Sequence, residues 1–312
     1  MQIFLALFKT SDCSKISRGF SGWVAIGLML VTAACASFPQ QELTSYREAY
    51  LEAKRAGDVL YDELSAAVIR AGMAPPGSNC VRKNTAPVCF DPNVAREDGK
   101  VADIPSIKAR RDALATVANY NIAIVDLLEG KQGDALSARI GELRDVAGDL
   151  LILGQVTTGP LPAIVGGQSV ALLSNLVKQL ENIASVQQAK ASLIENEEIV
   201  LEMIQALTDD TVVMYKLYKA AQGKYAVEVE LAGGTGNKAA RAEFAKIGAF
   251  HDQLTAYVKL LDQTEASFRQ LVFSLKNGTA TTADVRANIR TAIEIRKAAD
   301  AFWSEVRKAN QL

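Results

Sequence analysis

The sequence predicts an all-α protein, an elongated antiparallel bundle of long, coiled-coil-like helices, and three observations carry that expectation. Hydrophobic residues make up 49% of the chain, but much of that is alanine and only 6% of residues are aromatic, a balance that suits helices better than sheets. Apolar residues recur at steps of three and four through most of the chain, the period of one helix face. There are only 8 prolines in 312 residues, so few positions are closed to helix.

The N-terminal segment is set apart from this pattern. Lys9, Lys15 and Arg18 give it a basic start, Trp23 to Val31 form an apolar centre, and no charge occurs from Gly19 to Gln41. A basic region, an apolar region and a small-residue end at Thr32-Ala33-Ala34 are the parts of an export signal, so residues 1–34 are expected to be a signal peptide outside the fold.

The stretch Val31-Thr32-Ala33-Ala34-Cys35 resembles the lipobox of bacterial lipoproteins, with Ala33, Ala34 and Cys35 in place and Thr32 where leucine is commonest. The resemblance covers the targeting segment alone. It implies that Cys35 is acylated, by palmitate or a related chain, and becomes the first residue of a protein held in the membrane of the cell envelope. Two or more acyl chains make a stable anchor without a spanning helix. In a Gram-negative host, Ala36 after the Cys implies the periplasmic face of the outer membrane. Two other outcomes stay open: Ala34-Cys35-Ala36 also suits general signal peptidase, giving a soluble secreted protein, and the segment read as uncleaved is a signal anchor. Residues 35–41 are then the lipidated Cys and a short tether, and 42–312 a single helical domain.

Leu43, Tyr46, Tyr50, Ala53, Leu60, Leu64 and Val68 predict an amphipathic helix over Gln40 to Ala74, stopped by the two prolines of APPGSNC. A long connection, 75–104, follows. It holds the two cysteines left after Cys13 and Cys35, Cys80 and Cys89, which enclose eight residues. An oxidising compartment would join them as a disulfide, stabilising the loop by about 2–3 kcal/mol; two separate thiols are the other reading, and a metal site would need more ligands than the loop offers. Pro105 suits the first turn of a second helix carrying Ile107, Leu114, Val117, Ile124 and Leu128 inward, and EGKQGD ends it. Asp134 opens another helix with Leu136, Ile140, Leu143 and Val146 on one face.

From Leu150 to Val177 the chain has 28 residues without formal charge. Gly154, Gly159, Pro160, Pro162, Gly166 and Gly167 divide this stretch, so a hairpin of two short apolar arms is expected rather than a membrane span. Either the arms are core, or Leu161, Ile164, Val165 and Leu172 form an apolar tip that meets a bilayer or a partner. Beyond it, Leu193, Val200, Leu207, Met214 and Ala221 fall seven apart in a seam interrupted by Glu197 and Asp210, which with the glycines favours bends over a single rod.

GGTGN ends that run. The next helix shows the cleanest seam: Phe244, Ile247, His251, Leu254, Val258, Leu261, Glu265, Phe268, Val272 and Leu275. Asn277-Gly278 closes it, and Thr281 with Asp284 resembles a capping box before a last helix with Val285, Ile289, Ile293, Ala299, Trp303 and Val306 inward.

Candidates for chemistry are few. His251 is the only histidine and sits in an apolar seam, so it reads as a hydrogen-bonded core or interface residue; with Asn121 it is also the only hint of a polar pocket. Glu265 lies too far along the helix to pair with it and reads as a register-setting position. The glycine-rich GGTGN and IVGGQS lack the lysine of a phosphate loop, and ENEE at 195–198 and KARR at 108–111 read as solvated faces. A formal charge of −1 gives no electrostatic reason to expect nucleic acid. The expectation is a non-enzymatic, lipid-anchored envelope protein without metal or cofactor, acting as a structural or interaction module on an envelope partner or on itself. The alternative is a membrane-active or pore-associated protein that inserts the 150–177 hairpin.

Overall fold

The computed structural model describes residues 40–72, 105–131, 136–141, 143–144, 168–183, 185–278 and 282–311. They are helical almost throughout, with no strand among them, as the sequence predicts. The elements are α1 (Gln40–Arg70), α2 (Pro105–Leu128), α3 (Gln168–Glu181), α4 (Val186–Glu195), α5 (Glu197–Gly233), α6 (Lys238–Asn277) and α7 (Thr282–Ala309). Helical backbone also occupies 136–141. All described residues belong to one compact unit, 38–312.

Local chemistry sets most helix ends. The Asn237 side chain accepts the Ala240 N–H at 2.8 Å and starts α6, and Ser185 does the same for α4 through the Gln188 N–H at 3.2 Å. Gly278, with φ at 71°, takes the left-handed conformation that closes α6, its N–H donating to the Ser274 carbonyl at 3.1 Å. Gly130 turns the chain after α2 in the same region of φ. The helical run after the uncharged stretch is broken after Glu181 and again at the buried Asn196, so the chain is divided into α3, α4 and α5 rather than running on as one helix.

Contacts between helices fix their directions. Down the α5–α6 hairpin, Gln222 meets Glu243, Tyr218 meets Phe250 and Glu197 meets Lys276, an antiparallel order. α1 runs antiparallel to both α2 and α6: Arg47 reaches Asp126 while Arg111 reaches Asp62, and Glu42 meets Ser274 while the Ala49 carbonyl faces Thr264. α7 runs alongside α1, with Asn288 on Glu42 and Trp303 on Glu52.

The core lies where α1 and α6 pack together with α2, α5 and α7 around them. Every residue expected to face inward on α1 and α2 does so, and Leu193, Val200, Leu207, Met214 and Ala221 are all buried. Gly57 is required at the closest approach: a Cβ there would collide with the Leu114 side chain and stand 3.0 Å from the Tyr257 hydroxyl.

Three expectations about apolar faces are corrected. Phe244 is exposed: it stands next to Glu243, level with the end of α1 at Arg70, where the α5–α6 hairpin starts to run beyond α1 and loses its cover. α6 buries a second stripe, Phe250, Tyr257, Leu260, Thr264 and Leu271, besides Leu254, Leu261, Phe268 and Val272 from the predicted seam. On the first half of α7, Ile289 and Ile293 are exposed while Asn288 and Ile295 are buried, a face rotated by about one residue, or 100°, whereas in the second half the predicted Ala299 is buried and Trp303 and Val306 pack against the core beside Phe302. Thr281, and the side chains of Asp284 and Val285, lie outside the described residues.

Candidate functional site

The most unusual chemistry is inside the bundle. α2 carries Arg110 and α5 carries Asp210 to the same point, where the Arg110 Nε–H donates to the two Asp210 carboxylate oxygens at 3.1 and 3.0 Å. Their side chains are 0% and 2% exposed, so the pair has left water almost entirely. Burial pushes the Asp210 carboxyl up to about 6, although the Arg110 guanidinium opposes the rise. Tyr61 from α1 and Tyr257 from α6 feel the same carboxylate. Burial above all, and then the Asp210 charge, hold both phenols well above the ordinary tyrosine range.

The reading of residues 108–111 as a solvated face is therefore corrected at Ala109 and Arg110, both fully buried. Lys108 is exposed and pairs with Asp112 at 2.6 Å. Arg111 reaches Asp62 at 2.9 Å and places its guanidinium 5.7 Å from the centre of the Tyr61 ring. Arg110, three residues after Ile107 and four before Leu114, lies on the inward stripe and cannot avoid the core. Asp210 holds the corresponding place between Leu207 and Met214, so the apparent interruption of that seam is its partner.

Two further polar layers bind other helices. Toward one end, the Tyr218 hydroxyl donates to Glu63 Oε1 at 3.0 Å while its ring stacks on Phe250 at 3.9 Å between centroids. Burial raises the Glu63 carboxyl, against hydrogen bonds from Tyr218 and Gln253. Beside it, Gln222 accepts from Arg70 at 3.1 Å and donates to Glu243 at 2.7 Å, and Glu243 also pairs with Lys246 at 2.9 Å. At the other end, the buried Glu42 carboxylate accepts from Ser274 at 3.0 Å and from Asn288 at 2.6 Å, tying the first turn of α1 to α6 and α7. Near that end Arg47, Lys131 and Arg139 share Asp126, and Arg47 and Lys131 share Glu129. Burial alone would raise the Glu129 carboxyl, but those two cations hold it below the usual range.

Cys35, Cys80, Cys89, Leu161, Ile164 and Val165 lie outside the described residues. So does most of the uncharged stretch 150–177. Leu172 falls within α3, and the last two residues of the stretch, Leu176 and Val177, are buried in the core. His251 is corrected: its side chain is 60% exposed, contacts Asp252 at 3.2 Å and meets the edge of Tyr215, because it sits on the outer side of α6. Glu265 is likewise at the surface, paired with Arg269 at 2.8 Å. Asn121 is buried but accepts from Tyr46 at 2.5 Å and donates to the Val117 carbonyl, far from His251 in contacts as in role.

Among the described residues, no group of three or more His, Cys, Asp or Glu is placed to hold a metal ion, and no helix is long and apolar enough to cross a membrane. What the arrangement does is join helices: each buried charged or amide group described above is answered by a group on another helix. No family model matches this chain, no curated protein matches it, and no solved structure does.

Proposed function

We propose that the protein is a lipid-anchored component of the cell envelope whose helical bundle acts as a structural or protein-interaction module. The role needs no catalytic centre and no cofactor. In this reading residues 1–34 are removed on export, Cys35 carries the acyl chains, and Cys80 and Cys89 join in the oxidising compartment outside the inner membrane.

The observation that carries the proposal is how soon the fold begins after Cys35. α1 starts at Gln40, five residues on, and its first turns are already locked, with Glu42 held by Ser274 and Asn288 and with Leu43 and Tyr46 fully buried. Five residues span at most about 18 Å of extended chain. An anchor at Cys35 therefore pulls directly on the packed core, as a mounting for a rigid module requires, and holds one defined end of the bundle near the bilayer. The burial of Leu176 and Val177 favours core over an inserting tip for that part of the uncharged stretch.

Replacing Cys35 with Ser tests it. In cells grown with an alkyne-labelled fatty acid, the parent protein is expected in the membrane fraction with the label, and C35S in the soluble fraction or as unprocessed precursor without it. Unchanged processing and distribution in C35S would refute the anchoring.

A further inference from the structure

Two helix faces in the half of the bundle nearest Gln40 carry unanswered charge of opposite sign. From Glu195, the last residue of α4, to Tyr215 on α5 the chain holds six carboxylates and no lysine or arginine. Asp210 is answered by Arg110 in the core and Glu197 by Lys276. Glu195, Glu198, Glu202 and Asp209 are exposed and make no ion pair among the described residues. On α7 the sign is reversed. From Arg286 to Lys297 there are four cations and one carboxylate, Glu294, which pairs with Lys297 at 2.9 Å. Arg286, Arg290 and Arg296 are exposed without an ion pair among the described residues, and Ile289 and Ile293 stand among them, 47% and 46% exposed. On the α1 flank Glu52 is held by Arg55 and Glu48 is free, so the α7 face keeps a net positive charge.

The two faces match in spacing and in level. Glu198, Glu202, Gln205 and Asp209 follow one line on α5 at steps of four, three and four, and Arg286, Arg290, Ile293 and Lys297 follow one line on α7 at the same steps. Each line rises about 16 Å. α5 and α7 both run antiparallel to α6, and so parallel to each other. Lys276 meets Glu197 while Glu42 joins Ser274 to Asn288, so both lines start at the same level of the bundle. Each helix packs along α6, with no comparable contact between the two, and their outer faces therefore lie on different flanks.

We infer that these faces are the two halves of a lateral contact between copies of this chain, the α7 face of one docking on the α5 face of the next. With the copies side by side in one orientation, Arg286 comes level with the neighbouring copy's Glu198, Arg290 with its Glu202 and Lys297 with its Asp209. Ile289 and Ile293 then leave water against Leu201 and the Gln205 stem. Faces of a single sign repel their own kind, so a two-fold α7–α7 or α5–α5 contact is disfavoured and the pairing is heterologous. Each copy keeps one face of each kind unused, and the assembly extends as a row or closes as a ring. Copies anchored in one membrane at Cys35 share the required orientation, and confinement to a surface raises their effective concentration, so a contact of modest area suffices. That common orientation rests on the anchored-module reading; the charge match stands without it.

Isotopically light and heavy samples of the intact protein are mixed equally in neutral phosphatidylcholine vesicles and treated with a carbodiimide, which joins a lysine to a carboxylate in contact with it. Links between copies are recognised by their mixed isotope mass. Lys297–Asp209 links between copies are expected, fewer at high salt. Arg286→Glu/Arg290→Glu and Glu198→Arg/Glu202→Arg are each expected to cut them about tenfold or more, and mixing the two variants to restore them, because each offers the charge that the other lacks. Circular dichroism checks that both variants keep the parent's helicity and melting; the position of the link is read on the parent alone and decides even where a variant misfolds. Absence of links between copies, links untouched by either reversal, or folded variants whose mixture stays unlinked overturns the inference. So does linkage of Lys297 to Glu198 in place of Asp209, which means an antiparallel contact, or, in treated cells, to a different protein in place of a second copy. Failure of the anchor is separately visible, because the protein then does not float with the vesicles. In that case the same links, sought in concentrated solution with parent and variants, give the same decision.

Discussion

Asp210→Asn isolates the electrostatic consequence of the buried pair. The Asp210 carboxyl, held at about 6 in the fold, has an ordinary value near 3.9 in the unfolded chain. Its folded value is the higher of the two, so between those values the native state binds the proton more strongly than the unfolded state. Stability then falls as pH rises from about 4 to about 6 and is flat above, the reverse of a carboxylate whose value is depressed. About two units of difference at 1.36 kcal/mol each gives roughly 3 kcal/mol. Other groups titrate in the same window, Glu63 raised and Glu129 and Glu243 lowered, so the quantity to measure is a difference. Urea unfolding followed at 222 nm, run at half-unit steps from pH 4 to 8 on parent and D210N, yields it. The parent is expected to lose roughly 3 kcal/mol relative to D210N across the window. A difference that stays constant with pH, or that changes in the parent's favour as pH rises, would refute the placement of Asp210 in the dry interior. The companion substitution Arg110→Met leaves the carboxylate without its counter-ion and is expected to cost about 3–5 kcal/mol at pH 8, with Arg110→Met/Asp210→Leu recovering most of it.

Asn288→Leu removes a donor from the buried Glu42 carboxylate and is expected to cost about 1–3 kcal/mol, with amide exchange accelerated first in the N-terminal half of α7 and the opening turn of α1. Exchange rising uniformly over the chain would argue against a local clasp. Phe250→Ala deletes a fully buried ring stacked on Tyr218 and should lower stability by about 3–5 kcal/mol, whereas Ile289→Ser on the exposed side of α7 should stay within about 0.5 kcal/mol. Comparable losses in the two variants would mean that the inward face of α7 has been misplaced.

The period of apolar residues reveals which segments are helices, and on α1, α2 and α5 also which side is buried. That works because those stripes are wide and dominated by Leu, Ile, Val and Tyr. It fails on the first half of α7, where Ile289 and Ile293 draw the eye but Asn288 faces inward. The cause is non-local: Glu42, 246 positions earlier, needs a donor there, and Phe302 fills the core on the same rotation. Arg110 and Asp210 each betray themselves weakly, as polar residues at inward positions of an apolar stripe. Nothing in a one-dimensional pattern, however, says that residues 100 apart answer one another. His251 shows the opposite error: it shares a three-and-four rhythm with Leu254 and Leu261, yet α6 packs on several neighbours at once and its most regular stripe is not its most buried one.

The polar layers also explain how a bundle rich in alanine stays in one register. Small side chains make shallow ridges, and two such helices lose little when one slides along the other by two turns. Sliding α5 against α2 by a heptad, about 10 Å, would strand Arg110 and Asp210 in apolar surroundings without each other, a loss of several kcal/mol that no alternative packing returns. The Glu42 clasp does the same for α1, α6 and α7, and the Glu63–Tyr218 bond for α1 and α5. Fixed register is what makes the ends of the molecule meaningful. From Ser274, which holds the start of α1, to Glu243, where the projecting hairpin begins, α6 advances 31 residues, about 46 Å. A bundle free to slip would blur that distance. This one keeps the Gln40 end and the Leu231 tip a set length apart, so a protein mounted at Cys35 would present its tip at a defined height above the membrane that holds it.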